Sequence, residues 1–306
     1  MRRYALRRIL LGILTVIIVS MIIFAASRLS GDVTYLILPE DATKEEVAAL
    51  RARLGLDKPL PVQYYYFAKD ALQGDFGISY RYTGRPAMEI ILERLPATAK
   101  LAFMAFLISI TVGLLLGVLS ATRRDTFLDT LAKVFAIFGQ AMPSFWLGIM
   151  MILIFAVGLG WLPTSGGGGI RHMIMPAVTM AWFSVASILR LTRSAMLDVL
   201  DSEYIKRARL TGNPEWLVIW KHALRNALVP VVAMSGLQLA HLLGGVVIAE
   251  TIFGWPGLGS LILEGVYSRD YALVQAGVFV ISVIFITINL LVDLVYGVID
   301  PRIRYE

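Results

Sequence analysis

The residues that could carry out chemistry are few and lie far apart in the sequence. The three histidines, His172, His222 and His241, lack the spacing of a zinc site, and there is no cysteine to supply a thiol, a disulfide or iron–sulfur ligands. Ser165 lies near His172, but no glycine-flanked serine stands inside an apolar segment, which disfavours an intramembrane protease. The chain also has no G-x4-G-K-[ST] phosphate loop. We therefore expect no catalytic site, no metal and no ATP bound by this chain.

Two pairs of polar residues fall inside long apolar segments. Gln140 and Ser144 are four positions apart, and Gln238 and His241 are three apart, so a helix would place each pair on one face. Polar groups at membrane depth are expensive, and they mark either a pathway or hydrogen bonds between packed helices. All four are candidates for lining a pathway, and packing between helices is the alternative for each pair.

The composition predicts an all-α polytopic membrane protein. Of the 306 residues, 58% are hydrophobic and only 16% are charged, which is far from a soluble domain. Apolar runs of about 20 residues are long enough to cross a hydrocarbon core of about 30 Å. The six predicted spans are 9–27, 97–119, 134–157, 176–191, 228–249 and 274–296.

The basic residues predict the orientation of these spans. Arg2, Arg3, Arg7 and Arg8 precede the first span without an acidic residue. By the positive-inside bias this places the amino terminus in the cytoplasm, and six spans return the carboxyl terminus to the same side. A cleaved signal peptide is the alternative for the first span, although its apolar core is long for one. The net charge of +6 comes mostly from such flanking arginines, so nucleic acid is not expected as a partner.

Three regions follow from this topology. Residues 1–27 form the cytoplasmic amino terminus and first span, 28–96 form an extracytoplasmic subdomain, and 97–306 form a five-helix core. In the subdomain, Thr43 and Glu46 predict a capping box and Gly55 a helix end. In the core, Gly113 and Gly117 predict a close helix contact. Pro143 predicts a kink in the third span, and Pro176 an early helical position in the fourth.

A long polar loop, 194–230, interrupts the second half of the chain. It is predicted to form two short helices: Ser202 caps the first, with Glu203 in its first turn. Gly212 ends that helix, and Asn213 and Pro214 start the second as N-cap and first helical residue. The second helix has an apolar stripe typical of a helix in a membrane interface, formed by Trp216, Ile219, Trp220 and Ala223. An ordinary basic cytosolic loop is the alternative interpretation.

The loop segments EYIKRARLTG and KHALRNALVP resemble the cytoplasmic loop of ABC importer permeases, in the dipeptide, oligopeptide and nickel branch. Ala208 and Gly212 match the last alanine and the glycine of the EAA-x3-G motif. Lys206 and Arg207 stand in place of Glu-Ala, and Arg225 in place of a proline, which are departures that the peptide branch shares. RRYALRRILL, LGLDKPLPVQY and the run from ETIFGWPGLG to DPRIR extend the resemblance over nearly the whole chain.

The resemblance implies a type I ABC importer permease-like fold and a first-subunit permease of a bacterial cytoplasmic (inner) membrane. It implies a homologous second permease subunit, two ATP-binding subunits that carry ATP and Mg, and an extracytoplasmic solute-binding protein. The 202–212 helix would then couple to the ATPase through residues of the motif region: Glu203, Tyr204, Ala208, Arg209 and Gly212. The solute is left open among peptides, glutathione-like thiols, nickel chelates and sugars. A stand-alone secondary transporter or channel is the alternative function.

Overall fold

The structure, a computed structural model, describes residues 2–29, 34, 38 and 41–299, without the side chains of 2–5, 53, 240, 241, 243–245 and 293–299. In chain order the helices are α1 (Arg2–Leu29), α2 (Lys44–Arg53), α3 (Leu60–Ala71), α4 (Ala87–Thr122), α5 (Phe127–Ala141), α6 (Ser144–Met151), α7 (Ile170–Leu200), α8 (Glu203–Leu210), α9 (Leu224–Ile252), α10 (Leu258–Tyr267) and α11 (Tyr271–Ile299). Two π-helical segments are present in the described part, Ile152–Gly158 after α6 and Val218–Ala223 before α9. The all-α membrane fold is confirmed.

The described helices include five that are long and apolar enough to cross a membrane, or six if one bent pair counts as a span. The five lie in α1, α4, α7, the segment from Glu215 to Leu239, and α11. Length and composition set this count, so the side on which each terminus lies remains a prediction.

The third predicted span bends at Pro143 as expected, but the helix is interrupted there instead of continuing through a kink. Helix α5 and the helical segment from Ser144 to Gly158 are bent by 108° at the short break between them. Met142 leaves the helical conformation with ψ of 126°, and Pro143 takes the N-cap position of α6. A proline disfavours helical backbone in the residue before it, which accounts for the position of the break.

The helices contain Pro96, Pro176 and Pro230 in their interiors, and the first two lie there contrary to the predicted starts of their spans. Helix α4 begins at Ala87 and contains Pro96, and α7 begins at Ile170 and contains Pro176. A proline removes one backbone hydrogen bond, and apolar helices tolerate it where neighbouring groups satisfy the freed carbonyl. The spans are consequently longer than their apolar cores.

Contacts divide the chain into two compact units. Among the described residues, the first contains Thr98–Pro256 and 288–299, and the second contains those within Arg2–Ala97 and Gly257–Thr287. This division reflects contacts, whereas the predicted regions reflect the side of the membrane, so the predicted boundaries at 27 and 96 stay predictions.

In the first unit α7 packs closely against α4, as the two glycines predict. A Cβ on Gly113 would lie 2.7 Å from Cγ2 of Ile188, and one on Gly117 would lie 2.5 Å from Cβ of Thr192. Neither position has room for a larger side chain. The predicted close helix contact is confirmed.

In the second unit the segment before α4 is bonded to residues near α10 and α11. The Ser79 hydroxyl donates a 2.5 Å hydrogen bond to Asp270, whose other carboxylate oxygen accepts from the Leu273 backbone N–H at 3.2 Å. The predicted capping box of Thr43 and Glu46 is present. The described part of the polar segment before α4 therefore has defined structure.

Candidate functional site

Helix α8 is held to the first unit by one buried face. Ile205 is completely buried, and Ala208 packs at the edge of the same apolar cluster. The buried members of this cluster come from the ends of α4 and α7, from α8, from the π-helical segment Val218–Ala223 and from the start of α9: Val118, Ala121, Ala195, Met196, Ile205, Val218, Ala223 and Ala227. A displacement of α8 would therefore act directly on three long helices.

The opposite face of α8 is exposed. Glu203, Lys206, Arg207 and Leu210 follow helical spacing on this face, and all four are exposed. Leu210 is 87% exposed at the end of the helix. A large apolar side chain at the tip of a charged helix is suited to contact with another protein, because burying it there would remove apolar surface from water. We call these four residues the outer face of α8.

Ion pairs tie α8 to itself and to the next helix. Lys206 Nζ lies 2.7 Å from Glu203 Oε1, and Arg209 Nη2 lies 2.8 Å from Glu215 Oε1 across the turn. The hydrogen bond to Glu203 raises the pKa of Lys206, and the hydrogen bond to Glu215 raises the pKa of Arg209. Both cations stay charged at neutral pH.

The turn after α8 uses the predicted glycine. Gly212 has a φ of +82°, in the left-handed region, and a Cβ built there would have no neighbour within 4 Å. The glycine is therefore required by the backbone conformation and not by crowding.

Ser202 takes the predicted N-cap position of α8 without bonding that helix through its side chain, and the predicted N-cap at Asn213 is wrong. The Asn213 side chain donates 2.9 Å hydrogen bonds to the Ala208 carbonyl and to the Thr211 hydroxyl, so it closes the end of α8, and Pro214 stands at the N-cap of the next helical turn. The Ser202 hydroxyl donates to the Val199 carbonyl at 2.5 Å and makes no cap bond to α8. In both cases the side chain bonds the preceding helix, whose last carbonyls lack helical partners.

Tyr204 links α8 to α9. The Asn226 amide donates a 2.6 Å hydrogen bond to the Tyr204 hydroxyl. Sequence reasoning selected Tyr204 but missed Asn226, and it also missed Ile205 and Leu210. Ile205 and Leu210 could have been found because they are apolar residues in an otherwise charged helix.

The predicted apolar stripe of the second loop helix is divided between two surroundings. Ala223 and Ile219 pack on the buried cluster, whereas Trp216 and Trp220 are 65% and 49% exposed. The π-helical segment Val218–Ala223 has a wider turn than an α-helix, which moves residues off the α-helical stripe. The expected single face is therefore wrong. The exposed tryptophans remain compatible with a membrane interface.

The first pair of pathway candidates is separated by the break after α5. Gln140 lies on α5 and accepts a hydrogen bond from Arg190 of α7, whereas Ser144 starts α6. The expectation that they share one helix face is wrong, because the chain turns by 108° between their helices.

Ser144 lines a cavity of about 230 Å³ between the break, α7 and α9. Its wall is formed by neutral side chains: Met142, Ser144, Thr179, Met180, Trp182, Phe183, Ser184, Leu242 and Ala249. The Ser184 hydroxyl, at the edge of this cavity, donates a 3.3 Å hydrogen bond to Gln238, which is 2% exposed. Gln238 thus makes a hydrogen bond between packed helices, which was the predicted alternative to lining a pathway. The His241 side chain lies outside the described residues.

Comparison with known proteins identifies the family of the chain. The profile of the binding-protein-dependent transport system inner membrane component matches residues 113–305, and the profile of the N-terminal part of such membrane components matches residues 1–102. The chain belongs to this permease family.

Relatives in the family match over their full lengths. The chain is 40% identical over 334 residues to the dipeptide transport system permease protein DppB of Alkalihalophilus pseudofirmus, covering 100% of both chains. It is 42% identical over 308 residues to the glutathione transport system permease protein GsiC of Salmonella typhimurium, again covering 100% of both. A probable peptide ABC transporter permease protein of Sinorhizobium fredii is 39% identical, covering 99% of each chain.

Two solved structures share the fold of this permease. A chain from the crystal structure of an amino acid ABC transporter with histidines superimposes with a TM-score of 0.55 at 17% identity, covering 68% of this chain and 94% of that one. A chain of the inward-facing MetNI methionine ABC transporter gives a TM-score of 0.55 at 18% identity, covering 70% and 97%. At this identity the likeness concerns the fold alone.

Proposed function

We propose that this chain is the transmembrane permease subunit of an ATP-binding-cassette importer and that α8 receives movement from a separate ATPase. The observation that carries this proposal is the two-sided construction of α8. Ile205 fixes one face to a cluster shared by α4, α7 and α9, while Leu210 projects from the other face at 87% exposure. A helix built in this way can bind a partner protein through its exposed face and transmit movement to α4, α7 and α9 through its buried face.

The partners follow from the family. A second, homologous permease subunit would supply the other half of the pathway, and two ATP-binding subunits would carry ATP and Mg. An extracytoplasmic solute-binding protein would deliver the solute, and the complex would lie in the bacterial inner membrane. The support for this set is the family itself, a component of binding-protein-dependent transport.

The solute we propose is a peptide or a related small molecule. The full-length relatives include permeases for dipeptide and for glutathione, which is itself a peptide-like solute. The wall of the cavity beside Ser144 carries hydroxyl, thioether, aromatic and aliphatic groups and no charged side chain. Such a wall would let a zwitterionic solute pass without a strong binding site.

ATP-driven closure of the partner subunits would displace the segment from Ser202 to Gly212. The displacement would reach α4, α7 and α9 through the buried cluster and would switch the helices between inward-open and outward-open packings. Two discrete packings of rigid helices are a common form of such a change. A stand-alone secondary transporter is not favoured by the family assignment.

The proposal is tested by placing a charge on the outer face of α8. Leu210→Asp should weaken capture of the ATP-binding subunits by about 30-fold, because burying a leucine side chain contributes about 2 kcal/mol. The measurement is co-purification of the ATPase with the permease pair in detergent at a series of ATPase concentrations.

Leu72 supplies the matched control. It is 89% exposed, nearly the same as Leu210, but it follows α3 in the second unit. Leu72→Asp should leave capture of the ATPase unchanged. Full capture and full substrate-stimulated hydrolysis by the Leu210→Asp complex would show that the outer face of α8 is not the ATPase site.

A further inference from the structure

A buried carboxylate outside the coupling loop joins three helices of the first unit. The Asp129 side chain, in the first turn of α5, is 0% exposed. Its Oδ1 accepts from Arg193 Nε of α7 at 2.7 Å and from the Ser120 hydroxyl of α4 at 2.6 Å. Its Oδ2 accepts from Arg193 Nη2 at 2.9 Å, and Lys133 Nζ lies 2.7 Å away. We call these four residues the Asp129 cluster.

The Asp129 cluster is connected to α8 along α7. The helix is continuous from Arg193 to Leu200, a rise of about 10 Å. The connection to α8 is short and bonded, because the Ser202 backbone N–H donates to the Val199 carbonyl at 3.0 Å. Arg193 therefore moves with the end of α7 that leads directly into α8.

A second connection runs along α4. Val118 and Ala121 pack in the same buried cluster as Ile205 of α8. Ser120 lies between them in sequence and donates its hydroxyl hydrogen to Asp129. Helices α4 and α7, which share the buried cluster with α8, are thus both bonded to one carboxylate on α5.

Helix α5 leads to the cavity. It ends at Ala141, and the break that follows contains Met142 and is followed by Ser144, both of which line the cavity. Helix α5 also packs along α7, where a Cβ on Gly139 would lie 2.5 Å from Cβ of Ala186. Movement of α5 as one body with α7 would therefore reach the cavity wall.

We propose that Asp129 is a positioning residue for transport: it holds α5 to α4 and α7 so that a displacement of α8 moves the cavity wall. The inference rests on the proposed function. The bidentate geometry with Arg193 fixes both the distance and the orientation of the two helices, which a single point contact would not do. Loss of this bond should leave ATPase docking intact, since the outer face of α8 is unchanged, and should separate ATP hydrolysis from solute movement.

The test uses the complete complex of permease subunits, ATPase and solute-binding protein in liposomes, and measures solute uptake per ATP hydrolysed. Asp129→Asn keeps the shape of the side chain but turns an amide toward Arg193 and Lys133. The amount of solute taken up per ATP hydrolysed should fall at least about fivefold, because coupling free energies between two sites typically correspond to a factor of about five or more. Capture of the ATPase in detergent should match that of the unmodified complex.

Asp125 supplies the matched control. It lies in the same connection between α4 and α5, but its side chain is 77% exposed beside Arg124. Only its backbone N–H contacts Asp129, so Asp125→Asn leaves that bond in place. This variant should keep the ratio of the unmodified complex, and an equal loss in both variants would overturn the inference.

The remaining outcomes are also decisive. An unmodified complex without ATP-dependent uptake would refute the proposed function, whereas an Asp129→Asn complex with an unchanged ratio would refute only this inference. If Asp129→Asn does not assemble, Ser120→Ala takes its place and should lower the ratio by about two- to tenfold, as expected for one lost hydrogen bond. An unchanged ratio for Ser120→Ala, or failure of both variants to assemble, would mean that the cluster maintains the fold and does not position α5 for transport.

Discussion

Replacement of Gly212 changes only the cost of the backbone conformation in the turn after α8, and it therefore tests whether that turn is needed for coupling to the ATPase. The residue has a φ of +82°, and no atom lies within 4 Å of a Cβ built on it. A side chain at this position therefore meets no neighbour, and its cost arises from the left-handed conformation. That conformation costs a residue with a Cβ about 1–2 kcal/mol, more when the Cβ is branched, and asparagine tolerates it best.

The expected order of retained coupling follows from this cost. A penalty of about 1–2 kcal/mol lowers the population of the native turn by about 5- to 30-fold relative to competing conformations. Gly212→Asn should stay close to the unmodified protein, Gly212→Ala should be intermediate, and Gly212→Val should lose substrate-stimulated ATP hydrolysis. Each variant should still insert in the membrane, since the spans are unaltered.

The assay is ATP hydrolysis by the reconstituted complex with and without loaded solute-binding protein. Gly74 is the control, because its φ is +80°, it likewise has no atom within 4 Å of its Cβ position, and it lies in the second unit. Gly74→Val carries the same backbone penalty and should leave stimulation intact. Full stimulation in Gly212→Val, or an equal loss in Gly74→Val, would refute the reasoning.

Three further substitutions, two of them with a matched control, test packing within the two units, with thermal unfolding in detergent as the measurement. Ile205→Ala removes a fully buried side chain and should cost about 2–5 kcal/mol, whereas Leu210→Ala, at an exposed position, should change stability by no more than about 0.5 kcal/mol. Gly117→Val places a Cβ 2.5 Å from another side chain and should cost about 1–3 kcal/mol. Gly169→Val, in open space, should be nearly neutral. Asp270→Asn weakens the bonds to its carboxylate and should cost about 1–3 kcal/mol.

Features governed by local rules could be predicted from the sequence. The capping box at Thr43 depends on residues three positions apart, and the end of α8 at Gly212 depends on one residue that tolerates positive φ. The pair Gly113 and Gly117 depends only on helical spacing. The hydrophobic runs likewise indicate where helices lie, because the bilayer selects for apolar length.

Features that depend on a choice between alternative bonding partners could not be predicted from the sequence. Asn213 can cap the following helix or bond the preceding one, and only the position of the Ala208 carbonyl decides between them. A proline can break a helix, as Pro143 does, or lie within it, as Pro176 does, depending on how the freed carbonyl is satisfied. The bond between Asp129 and Arg193 could not be predicted, because the two residues are 64 positions apart in the sequence.

The proline in α7 divides that helix into unequal arms. Six residues precede Pro176 and 24 follow it up to Leu200, which corresponds to arms of about 9 Å and about 36 Å. A tilt of about 5° at the proline would carry Leu200 through an arc of about 3 Å while the short arm barely moves. A small change of angle at Pro176 is thus converted into a large displacement at the end of α7 that joins α8.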